Sequence, residues 1–334
     1  MEENLNSLVE TVLQQYGLES RSIRLIQKSE KKKKAVWMVA AAEGMLCVKR
    51  MPHGLDRTIF SLGAQDYIAK NHGPVPSLFR TKGGELYAEH QGDYFAVYDW
   101  LPGRHPLKNG VDDPLSIRAM AAFHRSSRGY QAPEGALVSD KVGDWPAQYR
   151  SMCREFSRWI ELARESGNGM EEFIPYAEQM IEQGERAIQL LTEHGYDEAV
   201  EEFAKCKGLC HQDFGKTNVL IDGATSYVID FDGITYDFPA RDLRKWFNKH
   251  AETGWDPSYF ERMMEHYEAE NPLGETGRVM LYIDLLFPHG FYGDAKKPFK
   301  KQEPIDPDFF TDLAEVVRME LDKARWVENQ LASR

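Results

Sequence analysis

The chain has 334 residues, 42% hydrophobic and 28% charged, with 41 basic against 53 acidic side chains and a formal charge of −12. That length buries a real core in one or two domains, and the acidic balance argues against wrapping nucleic acid, whose phosphates need a basic surface. No run of 18 apolar residues exists, so no membrane span is expected, and MEENLNSLVE has neither the basic nor the apolar stretch of a secretory leader.

In chain order, Leu5, Leu8, Val9, Val12, Leu13 and Tyr16 fall at helical spacing, with Gly17 as the stop. From about Ile23 the character changes. Ala35–Ala41 and Met45–Arg50 read as strands with a turn near Glu43-Gly44. A helix is expected from Thr58 to Asn71, ended by His72-Gly73-Pro74-Val75-Pro76. Leu86–His90 and Tyr94–Trp100 read as two more strands, and Leu101-Pro102-Gly103 stops the pattern.

From Pro114 onward helices dominate. Ile117, Met120, Ala121 and His124 share one face, and polar helical stretches run through Phe203 with breaks near Ser166–Gly169 and Gly195. A short β section follows, Val219–Ile221 and Tyr227–Ile229 around Asp222-Gly223, then helices to the end, one of them strongly apolar near Val279–Phe287. The expected organisation is a β-rich N-terminal lobe over residues 1–100 and a helical lobe over 101–334, with a cleft as the default ligand site.

The four cysteines, Cys47, Cys153, Cys206 and Cys210, make no disulfide framework, and a reducing cytosol suits them. Cys206-x-x-x-Cys210-His211 has the wrong spacing for a haem motif and no second ligand pair, so a metal is not expected there.

The informative segment runs Cys210-His211-Gln212-Asp213-Phe214-Gly215-Lys216-Thr217-Asn218, then Val228-Ile229-Asp230-Phe231-Asp232-Gly233. It combines H-x-D-x-x-x-x-N, a short hairpin, and a strand ending in Asp-x-Asp. Phosphoryl transfer needs an oriented acceptor and a divalent ion to neutralise phosphate charge. Asp213 is placed to accept a hydroxyl proton. Asn218 and Asp230, with Asp232 beside it, offer the hard oxygens that magnesium prefers. His211 is expected to support the loop structurally.

These residues resemble the aminoglycoside phosphotransferase and choline-kinase-like superfamily, whose loop reads H-G-D-x-x-x-x-N. Within it the chain is most similar to the kinase-like spore-coat proteins of the S and I type. The likeness is carried further by Leu46-Cys47-Val48-Lys49-Arg50, Val97–Arg104, Tyr236–Lys245 and Tyr282–His289. It implies an α+β protein-kinase-like bilobal fold, with a small antiparallel N-lobe, a large helical C-lobe, and ATP and magnesium as cofactors. By the same resemblance, Lys49 contacts phosphate, Asp99, Trp100 and Leu101 form the adenine hinge, and Asp242 supports the catalytic loop from a helix. Lys216 either approaches the transferring phosphate or lies in solvent.

Two departures stand out. The turn between the first two strands, Lys28-Ser29-Glu30-Lys31-Lys32-Lys33-Lys34, has no glycine to let backbone N–H groups approach phosphate. Its lysines supply charge instead, or form a solvated tip. The helix glutamate that pairs with the lysine is missing near Ser61, so Asp66 substitutes or Lys49 goes unpaired. Gln212 in place of glycine is minor.

The expectation is an ATP–magnesium phosphotransferase for a small-molecule hydroxyl or amine, linked to sporulation. A cytoplasmic location in the mother cell, or the coat itself, would go with it. A weakly active or inactive scaffold of the coat, with coat proteins as partners, is the alternative. A module that binds nucleotide without transfer comes third. The acidic stretches Glu171–Glu185 and Asp197–Glu202 suit a cationic acceptor or simply a solvated face.

Overall fold

The computed structural model describes residues 2–31, 33–166, 169–250, 254–301, 303–305 and 307–333. Lys32 of the lysine run, and Gly167 and Asn168 in the expected break near Ser166–Gly169, lie outside the described residues. The residues form two compact units. The first is Met1–Asp140, Lys207–Tyr236 and Glu265–Asn271; the second is Lys141–Cys206, Asp237–Met264 and Pro272–Arg334.

The first unit begins with α1 (Glu2–Tyr16), β1 (Ser20–Ser29), β2 (Lys34–Ala41) and β3 (Met45–Arg50). Then come α2 (Leu55–Lys70), β4 (Ala88–His90), β5 (Asp93–Asp99) and α3 (Asp113–Ser127). The strands form one antiparallel sheet in the order β1-β2-β3-β5-β4. Alternation along β2 buries Ala35, Trp37, Val39 and Ala41 on one face. There they pack with Val9, Val12, Leu13 and Tyr16 of α1 and with Val48, Phe95 and Val97. Fully burying a side chain such as Phe95 contributes about 1.5–3 kcal/mol. Gly17 ends α1 at φ +75°, where a side chain would be strained.

In the second unit α4 (Trp145–Ser166), α5 (Phe173–Glu193) and α6 (Tyr196–Ala204) come first. The chain then adds to the first unit β6 (Leu209–Cys210), β7 (Val219–Asp222), β8 (Thr225–Val228) and β9 (Thr235–Tyr236). It closes with α7 (Ala240–His250), α8 (Pro257–Glu268), α9 (Gly274–Leu286), α10 (His289–Lys301) and α11 (Phe309–Ala332). β7 and β8 form the expected hairpin, while β6 and β9 pair over only two residues. Such two-residue strands carry no periodicity a sequence could reveal.

The second unit buries charge as well as apolar surface. Asp284 on α9 is fully enclosed and accepts hydrogen bonds from Arg241 Nη1 at 3.1 Å, Arg244 Nε at 3.1 Å, His289 Nε2 at 2.9 Å and Tyr149 Oη at 2.5 Å. Burial opposes its charge, but the two guanidiniums outweigh that and hold its carboxyl well below the usual range. The segments Tyr236–Lys245 and Tyr282–His289, far apart in sequence, meet here through Arg241, Arg244, Asp284 and His289.

Gly103 explains how the chain leaves the sheet. Arg104 and Ile221 exchange backbone hydrogen bonds of 3.0 and 2.7 Å. A Cβ at Gly103, where φ is +110°, would lie 2.5 Å from the Ile221 carbonyl oxygen. Only glycine allows that approach.

Among the described residues no helix is long and apolar enough to cross a membrane.

Candidate active site

The site begins on the open face of the sheet. Val36 on β2 stands opposite Lys49 on β3. Lys34 precedes Val36 by two residues, so the period of a strand places it on the same face, diagonal to Lys49. Both ammoniums meet the segment after β8. Lys49 Nζ lies 2.9 Å from Asp230 Oδ1 and 2.6 Å from Asp232 Oδ1. Lys34 Nζ lies 2.5 Å from Asp230 Oδ2 and 3.2 Å from Asp232 Oδ2. Two cations and two carboxylates thus close into one cluster.

Burial alone would push the Asp230 carboxyl up. The ammoniums of Lys49 and Lys34 outweigh it and hold the group well below the ordinary carboxylate range. For Lys49, only 4% exposed, burial works against the charge, and Asp232 and Asp230 overcome it to raise the ammonium's pKa.

Asp230 adopts φ +73° and ψ +73°, a left-handed conformation uncommon outside glycine. Its neighbour Ile229 is fixed on both sides: its N–H donates to the Asn218 carbonyl at 3.0 Å, and its carbonyl accepts from His211 Nε2 at 3.0 Å. These bonds and the β7–β8 hairpin bring the H-x-D-x-x-x-x-N loop beside the Asp-x-Asp segment. Gln212, next to Asp213, is also left-handed at φ +68°. Strained backbone is held here by surrounding bonds, as it often is at functional sites.

Asn218 Nδ2 donates to the Asp213 carbonyl at 2.8 Å and to Asp213 Oδ2 at 3.2 Å. That turns the amide nitrogen toward Asp213 and the amide oxygen away from it. The Asn218 oxygen and the Asp230 and Asp232 carboxylates are hard donors that fit magnesium.

The remaining expected residues are distributed as follows. Lys216 Nζ is held 2.9 Å from Asp113 Oδ1 and 3.1 Å from the Leu107 carbonyl, so it is not simply solvated. The Trp100 N–H donates to Met45 at 2.9 Å and the Asp99 N–H to Ser77 at 3.1 Å, while Leu101 lies just past the last strand pairing. His211 is fully buried, and so is Asp242, in the first turn of α7.

Asp66 does not pair with Lys49. Its carboxylate lies 2.7 Å from both Lys70 and Arg80. Lys49 nevertheless has partners, because Asp230 and Asp232 take that part. On α2 the neutral Ser61 and Gln65 line a cavity of about 10 Å³ with Lys49, Tyr98 and Asp230. Lys34 also departs from a solvated tip, since its side chain is 13% exposed and ion-paired. Arg57 belongs to no motif, yet it donates to the Asp232 carbonyl at 3.3 Å and to the Ile234 carbonyl, tying α2 to the 231–234 turn.

This chain belongs to the phosphotransferase enzyme family, which it matches over residues 32–281. Among curated proteins it is similar to spore coat protein S of Bacillus subtilis, 26% identical over 307 residues, covering 90% of this chain and 87% of that one. It is also similar to the endospore coat-associated protein YutH of the same organism, 26% identical over 249 residues, covering 71% of this chain and 68% of that protein. Among solved structures, an aminoglycoside phosphotransferase from Alicyclobacillus acidocaldarius superposes with a TM-score of 0.77 at 14% identity, covering 97% of this chain and 96% of that one. Amicoumacin kinase hAmiN in complex with AMP-PNP, Ca2+ and Ami superposes at 0.58 and 13% identity, covering 96% of this chain and 93% of that one. These likenesses establish the fold: kinase-like α+β, with an antiparallel sheet in the N-terminal region and helices in the C-terminal region.

Proposed function

We propose that the protein transfers the terminal phosphoryl group of ATP to a hydroxyl or amine on a small molecule, in the setting of spore formation. The observation that carries this reading is the gathering of Lys49, Asp230 and Asp232 beside the Asp213–Asn218 loop, in a chain of the phosphotransferase family. Asp213 accepts the acceptor's proton, and its hydrogen bond to Asn218 fixes its direction. Asn218, Asp230 and Asp232 hold magnesium, which when bound neutralises charge on the phosphates. Lys49 binds phosphate oxygens. Asp99, Trp100 and Leu101 border the adenine. Lys216 positions the 107–113 loop through Asp113 and Leu107, and His211 and Asp242 act in support. The protein works in the mother-cell cytoplasm or at the coat, with coat proteins as partners.

A second reading keeps the fold as a scaffold of the coat with weak or lost transfer. The neutral Ser61 and Gln65 on α2 favour it, as does the similarity to proteins named for the coat.

The test is thermal unfolding and calorimetry with ATP, with magnesium and then with EDTA. Ligand at 100 times its dissociation constant stabilises by about 2.7 kcal/mol. Magnesium-dependent stabilisation supports the enzyme, and ADP release then screens acceptors. No shift at millimolar ATP would sink the nucleotide-dependent reading and leave the scaffold.

A further inference from the structure

Lys34 touches the same two carboxylates as Lys49, and the pattern of contacts is complete. Each lysine takes one oxygen of each aspartate: Lys49 takes Oδ1 of Asp230 and of Asp232, and Lys34 takes Oδ2 of both. All four carboxylate oxygens therefore face an ammonium. A divalent ion at these oxygens would be repelled by both ammoniums for as long as the lysines stay where they are.

The two lysines are not equally able to leave. Lys49 sits inside β3, paired to both neighbouring strands, and is 4% exposed. Lys34 is the first residue of β2, at the end of the β1–β2 turn, and is paired only with the last residue of β1 within that hairpin. That turn lies where a glycine-rich loop would offer backbone N–H groups to phosphates, and it contains no glycine. A long side chain on a strand end can swing where such a backbone cannot approach.

Charge points the same way. Two ammoniums and two carboxylates cancel, so a lone divalent ion would leave the cluster with excess positive charge. A nucleotide triphosphate arriving with its metal brings net negative charge, and the lysines then have new anions to bind.

We propose that Lys34 is a phosphate-binding residue that stands in for the glycine-rich turn and exchanges partners. Without nucleotide it closes Asp230 and Asp232 against divalent ions, and with metal-bound nucleotide it moves to the phosphate oxygens. The inference rests on the nucleotide-binding part of the function proposed above. Its consequence is that metal and nucleotide bind together far better than metal alone.

The experiment compares wild type, Lys34→Met and Lys34→Arg, each first checked for folding by circular dichroism. Electron paramagnetic resonance measures Mn2+ binding without nucleotide, and calorimetry measures AMP-PNP binding with magnesium. A charge-assisted contact carries roughly a tenfold or larger effect on affinity. Lys34→Met is expected to bind Mn2+ alone at least about tenfold more tightly and metal-bound AMP-PNP at least about tenfold more weakly. Lys34→Arg, which keeps the charge, should stay near wild type in both. The opposite signs separate this role from a merely structural one, which would weaken both. If Lys34→Met weakens both, or leaves both unchanged while wild type binds nucleotide, this inference falls and the function stands. Loss of nucleotide binding in Lys34→Arg also overturns it, and this variant decides the matter if Lys34→Met does not fold. If wild type binds no nucleotide, this inference and the nucleotide-dependent function fall together, and the scaffold remains.

Discussion

Lys49 and Asp230 are 181 residues apart in sequence, and their side chains meet at 2.9 Å. In a kinase-like fold the lysine's partner is expected from the helix after it. Here α2 offers Ser61 and Gln65, and the counter-charge comes instead from the segment that follows β8. The lysine is thus held ionised by the carboxylates proposed to carry the metal.

Replacing Lys49 with Met should lower nucleotide affinity by roughly 10- to 100-fold, the worth of one charge-assisted contact. The fold should lose less than the ~3–5 kcal/mol of a broken buried pair, because Lys34 still pairs with both aspartates. Calorimetry and urea denaturation measure the two effects separately. A large stability loss with unchanged nucleotide affinity would make Lys49 a structural residue.

Asp213→Ala should reduce transfer by about 10²–10⁴-fold while leaving nucleotide affinity close to wild type. Turnover of ATP with an accepted acceptor, set beside calorimetric binding, is the measurement. Unchanged turnover would remove Asp213 from the mechanism.

Two buried groups of the second unit should shape stability between pH 4 and 6. Burial and the Arg244 guanidinium push the His289 imidazole down to about 3, against the pull of Asp284. The unfolded chain therefore takes up that proton first, and stability is lost as pH falls from about 6.5 toward 3. Burial raises the Asp237 carboxyl to about 6 despite Arg241, so its folded form keeps a proton that the unfolded form releases. That contribution falls as pH rises from about 4 to 6. The two slopes oppose each other, each at up to about 1.4 kcal/mol per pH unit. Asp284, held low, adds its loss only below about pH 4. Relative to wild type, His289→Gln should grow more stable as pH drops from 6 to 4, and Asp237→Asn should lose stability faster. Urea midpoints at pH 4.5, 5.5 and 7 decide this, and parallel curves for all three proteins would refute it.

Glu320 and Lys323 on α11 are both fully buried, 2.7 Å apart. Glu320 also accepts from the Gly290 N–H at 2.8 Å, and Lys323 donates to Asn248 at 2.9 Å. Lys323→Met should cost about 3–5 kcal/mol by leaving a buried carboxylate without its counter-ion. Adding Glu320→Gln should recover part of that loss, because a neutral amide is cheaper to bury. Strict additivity of the two substitutions in chemical denaturation would deny the coupling.

Much of the architecture is legible in the residues. Leu8, Val9, Val12 and Leu13 write α1 by periodicity, and Met45–Arg50 is a strand with the bounds the pattern indicates. β1 is harder, because its residues are exposed along most of both faces and show no alternation. α2 begins at Leu55, three residues before Thr58, since Gly54 and Asp56 start it without a run of apolar residues to mark the turn.

By itself the sequence determined which chemical groups stand near residues 211–232. The order of Asp213, Asn218, Asp230 and Asp232 is local, and local spacing can be read from a chain. What tertiary structure alone decided is which cation faces which carboxylate. That Lys34 shares a face with Lys49 depends on the β2–β3 register, and that Asp66 turns away toward Lys70 and Arg80 depends on how α2 is oriented. Arg57, Lys34 and Asp113 belong to no motif because their partners lie about 100 to 200 positions away. Such contacts exist only once the chain has folded, when register and packing bring together side chains that no spacing rule connects.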